Sequence, residues 1–411
     1  MVRSINYCNI RILLRGNFLN QLQANVKWSS SLQIRDKKVI QPERSFKCAD
    51  LSVRLAEPEQ LQAKPNVSDL IFGKYFTDHM LKIFYHEALG GWQAPEIVPF
   101  ENLVLHPASK VLHYAVELFE GLKAYRGVDG KIRIFRPELN MDRMNNSAMR
   151  TGLPTFIGEE LIKCCCRLIS IDQEWVPHSV ASALYIRPTL IGIDPTLGVA
   201  SSESALLYVI LSPVGPYFKK ADAGISLLAD PKYTRAWPGG CGNYKVGSNY
   251  GPTIYVQREA VEKGLQQVLW LYGEDNEVTE VGTMNVFMFC VNDDGEKELV
   301  TPPLSNGLIL PGVTRNSILT LSREWNQFKV SERKFCMDEV CHLLSENRLL
   351  ELFGAGTACA VSPVSYIDFA GRSLHIPTMQ QSNPVYKMFL KHLTDIQYGV
   401  IPDHPWAIPI E

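Results

Sequence analysis

Apolar and polar residues alternate over short runs along most of this chain, and between those runs lie stretches whose apolar positions recur every three or four residues. Together they predict a mixed α/β protein. In the first half, alternation predicts a strand at 74–85 with aromatic faces, a turn at Gly90-Gly91-Trp92, and further strands at 103–106 and 132–135. Helical periodicity predicts helices at 138–149 and 159–173. Apolar strands are expected at 182–190 and 205–211, and the first carries one charge, Arg187, which needs a partner if buried.

Periodicity breaks at 212–220, where Pro213, Gly215 and Pro216 fall close together. We therefore expect an interdomain linker at 214–222, joining a smaller α/β domain at 45–213 to a larger one at 223–411. In the second half, strands are expected at 225–229, 267–271, 285–291, 298–300, 328–335 and 349–353. Helices are expected at 252–263, 337–346 and 384–397, with another opened by 309–314 and running to 325, and Pro252 suits a first helical turn, where its missing N–H costs nothing. No internal repeat is visible.

Composition narrows the class of partner. The 411 residues are 46% hydrophobic and 20% charged, ordinary for a folded enzyme of two domains, and a net charge of −2 gives no field to gather nucleic acid or an anionic membrane. No run approaches the roughly 18 apolar residues of a membrane span. Ten cysteines lack paired metal-type spacing, so neither a metal site nor a disulfide scaffold is expected, and Cys164, Cys165 and Cys166 fall in an amphipathic helix where thiols act as small hydrophobes. Residues 1–35 hold no acidic residue but carry Arg3, Arg11, Arg15, Lys27 and Arg35, a composition that predicts a mitochondrial transit segment, with a basic cytosolic tail as the alternative.

The candidate chemistry centres on Gly239-Gly240-Cys241-Gly242-Asn243-Tyr244-Lys245-Val246-Gly247, a glycine-rich run around one lysine. The glycines are expected to let backbone and cofactor meet. A lysine attacks carbonyl carbon only as the neutral amine, which takes desolvation or a cationic neighbour. Pyridoxal phosphate needs such a lysine, an acid against its ring nitrogen and a cradle for its phosphate. Glu280, at the end of an apolar strand, is the candidate acid. Gly312-Val313-Thr314 opens a helix whose free N–H groups suit an anion, Gly354-Ala355-Gly356-Thr357-Ala358 is a second small-residue loop, and Arg143 offers a planar fork.

Read as longer motifs, these residues resemble a known family. Leu118-Phe119-Glu120-Gly121-Leu122-Lys123-Ala124-Tyr125, Asn140-Met141-Asp142-Arg143-Met144, Tyr185-Ile186-Arg187-Pro188, Gly242-Asn243-Tyr244-Lys245, Thr279-Glu280-Val281-Gly282-Thr283-Met284-Asn285 and Leu310-Pro311-Gly312-Val313 resemble the branched-chain amino acid aminotransferases, from about residue 69 to 398. The resemblance implies a pyridoxal phosphate enzyme of fold type IV, a homodimer, exchanging an amino group between leucine, isoleucine or valine and 2-oxoglutarate, with glutamate as product. It implies Lys245 as cofactor-linked lysine and proton shuttle, Glu280 as partner of the ring nitrogen, Tyr250 beside the phenolic oxygen, and Arg143, Thr283, Val313, Thr314 and Thr357 at the phosphate. It also implies a substrate pocket of Phe72, Tyr114, Phe119, Tyr185, Tyr217, Thr283 and Ala358, with Val199 from the other subunit and Arg187 for glutamate's second carboxylate. D-amino acid aminotransferases, aminodeoxychorismate lyases and a catalytically silent cofactor binder share parts of this set. One departure stands out: vertebrate mitochondrial members carry a Cys-x-x-Cys pair where this chain has Cys359-Ala360-Val361-Ser362, so no local disulfide can form there.

Overall fold

Two large sheets organise the computed structural model, which describes residues 45–215 and 224–410. The transit-like segment and residues 216–222 of the expected linker lie outside the described residues. The first sheet runs in the order Ser52–Val53, Glu96–Pro99, His79–His86, Ser204–Val214, Ala183–Gly192, Leu122–Arg126, Ile132–Phe135, Ala407–Pro409, with Glu117–Phe119 added beside Ala183–Gly192. Its spine is the antiparallel pair Ala183–Gly192 and Ser204–Val214, in register from Ala183 opposite Val214 to Gly192 opposite Ala205. Helices Pro137–Thr151 and Gly158–Ile171 cover one face and, with Phe156 between them, bury Met144 and Leu161 in one cluster with Leu81, Ile83 and Leu118.

The second sheet closes on itself. Strands Glu277–Val281, Gln267–Tyr272, Ile225–Ala229, Ala360–Phe369, Leu349–Gly356 and Met284–Val291 pair in that order, and the last pairs again with the first through Glu280 opposite Asn285. Closure of this kind removes exposed strand edges. The turn that makes it is two residues long, Gly282-Thr283, and Gly282 takes φ +55, a left-handed value that a hairpin of this length requires. A side chain there would also strike the Gln267 amide oxygen. Stacked Phe287 and Phe353, with ring centroids 5.4 Å apart, and Phe389 of the helix Val385–Gln397 fill the space beside it.

Several expected elements move. Residues 74–78 and 103–106 are not strands, and Val104 is 98% exposed: the 103–106 run has alternation but no neighbouring strand to pair with. Pro213 does not end its strand, because Ser204–Val214 continues past it, with Pro213 opposite Leu184. The expected linker therefore overlaps a strand at Val214. The strand expected at 328–335 shortens to Lys329–Glu332. Ala360–Phe369 and Arg372–His375 were not legible as strands at all. Nor does the tail stay with the second half, since Ala407–Pro409 pairs antiparallel with Ile132–Phe135 of the first sheet. Cys164 and Cys165 are buried as core residues, and all the described cysteines are free thiols.

The docking of Val385–Gln397 depends on a buried acid. Glu351 accepts the N–H groups of Val385 at 2.6 Å and Tyr386 at 2.9 Å, the first residues of that helix, which has no side-chain cap of its own. Glu351→Ala leaves both donors unsatisfied and is expected to cost about 2–3 kcal/mol of stability in denaturant unfolding, with Glu351→Gln losing less.

Candidate active site

Lys245 stands in a loop that is pinned rather than loose. Its N–H donates to Ser147 Oγ at 2.9 Å, its carbonyl accepts the Phe119 N–H at 3.1 Å, and the next residue, Val246, bridges to Leu118. The glycines around it make that pinning possible. A Cβ on Gly242 would lie 2.5 Å from the Ala236 Cβ and 2.6 Å from the Leu308 carbonyl, and one on Gly247 would strike the Glu117 carboxylate. They let the loop approach protein atoms, so their expected role toward a cofactor is corrected: the glycines pack the loop, and the lysine side chain alone projects.

The Lys245 Nζ meets the Tyr250 hydroxyl at 3.2 Å and lies 4.8 Å from the Phe119 ring centroid. Among the described residues it forms no ion pair. Burial, reinforced by the nearby Arg143 charge, brings its pKa down to about 8. Both conditions for a neutral amine are thus met in one place.

Two buried ion pairs flank the amine. Arg143 forks onto Glu120, with Nε 2.7 Å from Oε1 and Nη2 2.8 Å from Oε2, and its remaining arm donates to the Pro311 carbonyl at 3.1 Å. Burial pushes the Glu120 carboxyl up, but Arg143 and the Asn140 amide at 2.8 Å more than offset it and leave Glu120 ionised. On the other side Glu280 pairs with Arg235 at 2.8 Å and accepts the Leu310 N–H at 2.9 Å and the Asn285 amide at 3.2 Å. Burial still holds Glu280 above the usual carboxylate range. Arg235 also donates to the carbonyls of Leu308 and Gly242, tying the acid to the lysine loop.

Between these pairs lies a cavity of about 260 Å³, lined by Phe72, Phe119, Arg143, Tyr185, Arg187, Lys245, Tyr250, Glu280, Thr283, Val313, Thr314, Thr357 and Ala358, all expected from the sequence. At one end the helix Val313–Trp325 begins after Gly312 with no side-chain cap, leaving its first N–H groups toward the cavity beside the 357–359 turn. At the other, Tyr185 packs edge-on to Phe72 at 4.8 Å, and Arg187 donates to the Tyr185 hydroxyl at 3.2 Å while its buried Nε has no partner among the described residues. A desolvated lysine, a buried acid opposite, an uncapped helix start and an arginine with a free donor fit pyridoxal 5'-phosphate and a carboxylate substrate by donor chemistry. A cleft of about 360 Å³ at Phe76, Asp78 and Trp175 lacks this set, and its acid, Asp78, is already bonded to the Gln62 N–H and the Trp175 indole.

Tyr114 is not in the cavity of its own chain, and Val199 was expected from the other subunit. Tyr114 is 40% exposed and bonds the Leu197 carbonyl, and Val199 is 82% exposed. Tyr217 lies outside the described residues. Conversely Glu120, Asn140, Arg235, Gln267 and Asn285 belong to the site and had no assigned role. The signal for Glu120 was there: a carboxylate inside an apolar stretch, as unlikely to stay unpaired as Arg187. Arg235 sits in an irregular loop, where no periodicity points to it. Cys359 hydrogen-bonds Ser362 and packs against Met284, and burial raises its thiol pKa, which disfavours the reactive thiolate.

A model of the amino-transferase class IV family matches residues 117–367. The chain is 56% identical over 367 residues to the cytosolic branched-chain-amino-acid aminotransferase of Mus musculus, covering 89% of this chain and 94% of the mouse protein. It is 52% identical to the mitochondrial form from Bos taurus, covering 89% and 92%. Its fold is similar to the crystal structure of the branched-chain aminotransferase of Thermoproteus uzoniensis with norvaline, with a TM-score of 0.64 and 25% identity over 77% of this chain and 97% of that one.

The lowered lysine pKa gives a test that needs no substrate. In cofactor-free protein, acylation of Lys245 followed by mass spectrometry is expected to rise with pH about a midpoint near 8. Below it the neutral fraction falls about tenfold per pH unit. A midpoint above 10, that of an ordinary lysine, would contradict the burial argument.

Proposed function

From the premise that this chain belongs to the amino-transferase class IV family, we propose roles for the residues around its cavity. It is a transaminase of branched-chain amino acids, and its cofactor is pyridoxal 5'-phosphate, which when bound supplies a ring that withdraws electrons from the substrate α-carbon. The observation that carries the reading is the buried Lys245 amine, held near neutrality opposite the anchored Glu280 carboxylate.

Lys245 Nζ would hold the cofactor, and its free amine would take the substrate α-proton and return it. Glu280, oriented by Arg235 and the Leu310 N–H, would be the acid partner of the ring nitrogen. Tyr250 would stand by the phenolic oxygen, and the Val313 and Thr314 N–H groups, with Thr283 and Thr357, would hold the phosphate. Arg143, already forked to Glu120, contributes charge rather than a free fork.

Specificity follows from the wall. Phe72, Phe119, Tyr185 and Ala358 exclude water and accept aliphatic side chains, and such a wall separates Leu from Val by only about 1–3 kcal/mol. For the acceptor we propose 2-oxoglutarate, with glutamate as product: the free Arg187 Nε and the Tyr185 hydroxyl suit a second carboxylate. The tip bearing Tyr114, Leu197 and Val199 is apolar and exposed, which favours a homodimer in which it meets the other subunit. Relatives include cytosolic and mitochondrial forms, and the composition of residues 1–35 favours the mitochondrial matrix here.

Lys245→Ala is expected to lose the visible absorbance of covalently held cofactor and at least 10³-fold in turnover; near-normal transamination by that variant would overturn the assignment. On the wild type, L-leucine, L-isoleucine and L-valine are expected to serve and D-alanine to fail, and the reverse order would favour a D-amino acid enzyme. Arg187→Gln is expected to raise KM for 2-oxoglutarate about tenfold or more while changing KM for L-leucine less.

A further inference from the structure

Lys110 is a buried lysine with no part in the cavity. Its side chain is 3% exposed, and all three donors are used: on Asp194 at 2.7 Å, the Ser201 carbonyl at 2.7 Å and the Ala200 carbonyl at 3.2 Å. Asp194 in turn accepts the N–H groups of Glu203 and Ser204, and the Ile193 N–H closes the base of the loop on the Ser204 carbonyl at 2.9 Å. The 194–204 loop is thus fixed from inside by charge. What it carries outside is apolar: Leu197 is 62% and Val199 82% exposed, and the Tyr114 hydroxyl is bonded to the Leu197 carbonyl.

A rigid base under an exposed apolar tip fits a tip that docks. Its own cavity lies back along the strand Ala183–Gly192: Phe119, on the cavity wall, sits opposite Thr189, three residues before the strand ends, so the tip begins roughly 10 Å further along. The aromatic wall of Phe72, Phe119 and Tyr185 matches the tip in chemistry, and twofold symmetry gives each copy one tip and one cavity to exchange.

We propose that Lys110 and Asp194 are a positioning pair acting across the dimer, holding the tip so that Tyr114 and Val199 close the substrate pocket of the partner copy. This rests on the dimeric reading above. A purely structural pair would affect only the subunit that carries it, whereas this one acts on its neighbour.

Subunit mixing separates the two. Lys110→Met homodimers are expected to show at least a tenfold higher KM for L-leucine with a smaller change in kcat. In a heterodimer of a Lys110→Met chain and a Lys245→Ala chain, isolated through two affinity tags, the one competent lysine faces an intact tip. That species is expected to recover the wild-type KM and half the wild-type kcat. A raised KM in the heterodimer, or a normal KM in the homodimer, overturns the proposal. The same mixing with Val199→Asp in place of Lys110→Met tests the dimeric reading alone: failure of rescue there sinks closure by a partner, while rescue there without rescue of Lys110→Met sinks only the positioning role. If Lys110→Met does not accumulate, Lys110→Met with Asp194→Asn removes both buried charges and enters the same assay with the same outcomes.

Discussion

Everything in the site depends on keeping one amine out of water. A buried lysine is costly when protonated, and the ordinary remedy is a carboxylate beside it, which would hold it charged and unreactive. Here the two nearest acids are committed elsewhere, Glu120 to Arg143 and Glu280 to Arg235. Lys245 is left with a tyrosine hydroxyl and two aromatic rings. Burial first and the Arg143 charge second bring its amine down to about 8, and the pull of Glu120, already committed to Arg143, does not restore it.

That arrangement needs both halves of the fold at once. The Phe119 N–H and the Ser147 hydroxyl, from the first sheet and its covering helix, fix the lysine backbone, while the closed second sheet supplies Glu280 from a strand and Thr357 from a turn. Arg235 spans the lysine loop and the acid. The two ion pairs are expensive to bury, and that expense is consistent with fixing geometry rather than adding stability. The Lys110–Asp194 pair, away from the cavity, follows the same logic of internal charge holding an apolar working surface.

Much of this was legible in the sequence. The lysine run, the strand end at Glu280 and the Gly312-Val313-Thr314 helix start are local features, and local chemistry fixes a strand end or a helix start wherever it occurs. Strand Ile132–Phe135 fell where periodicity put it, and the helix expected to open within 309–314 and end at Trp325 does both. What escaped depends on distant neighbours. Alternation at 103–106 looks like a strand until no partner is found, and Pro213 looks like a break until Leu184 is found opposite it. Tyr114 is bonded through its hydroxyl to the exposed loop at Leu197, away from the cavity of its own chain, a placement no local pattern announces. Arg235 has no pattern to announce it, because its role exists only after Glu280, Gly242 and Leu308 have been brought together.

The central claim is that Lys245 moves the α-proton of an L-amino acid. Exchange of the α-hydrogen of L-leucine with deuterated solvent, followed by NMR on holoenzyme with no keto acid acceptor present, tests it without depending on turnover. Wild-type protein is expected to exchange that hydrogen and leave D-leucine untouched, and Lys245→Ala to exchange neither. Undiminished exchange in Lys245→Ala would show that another base does the work and would contradict the role assigned to the buried amine.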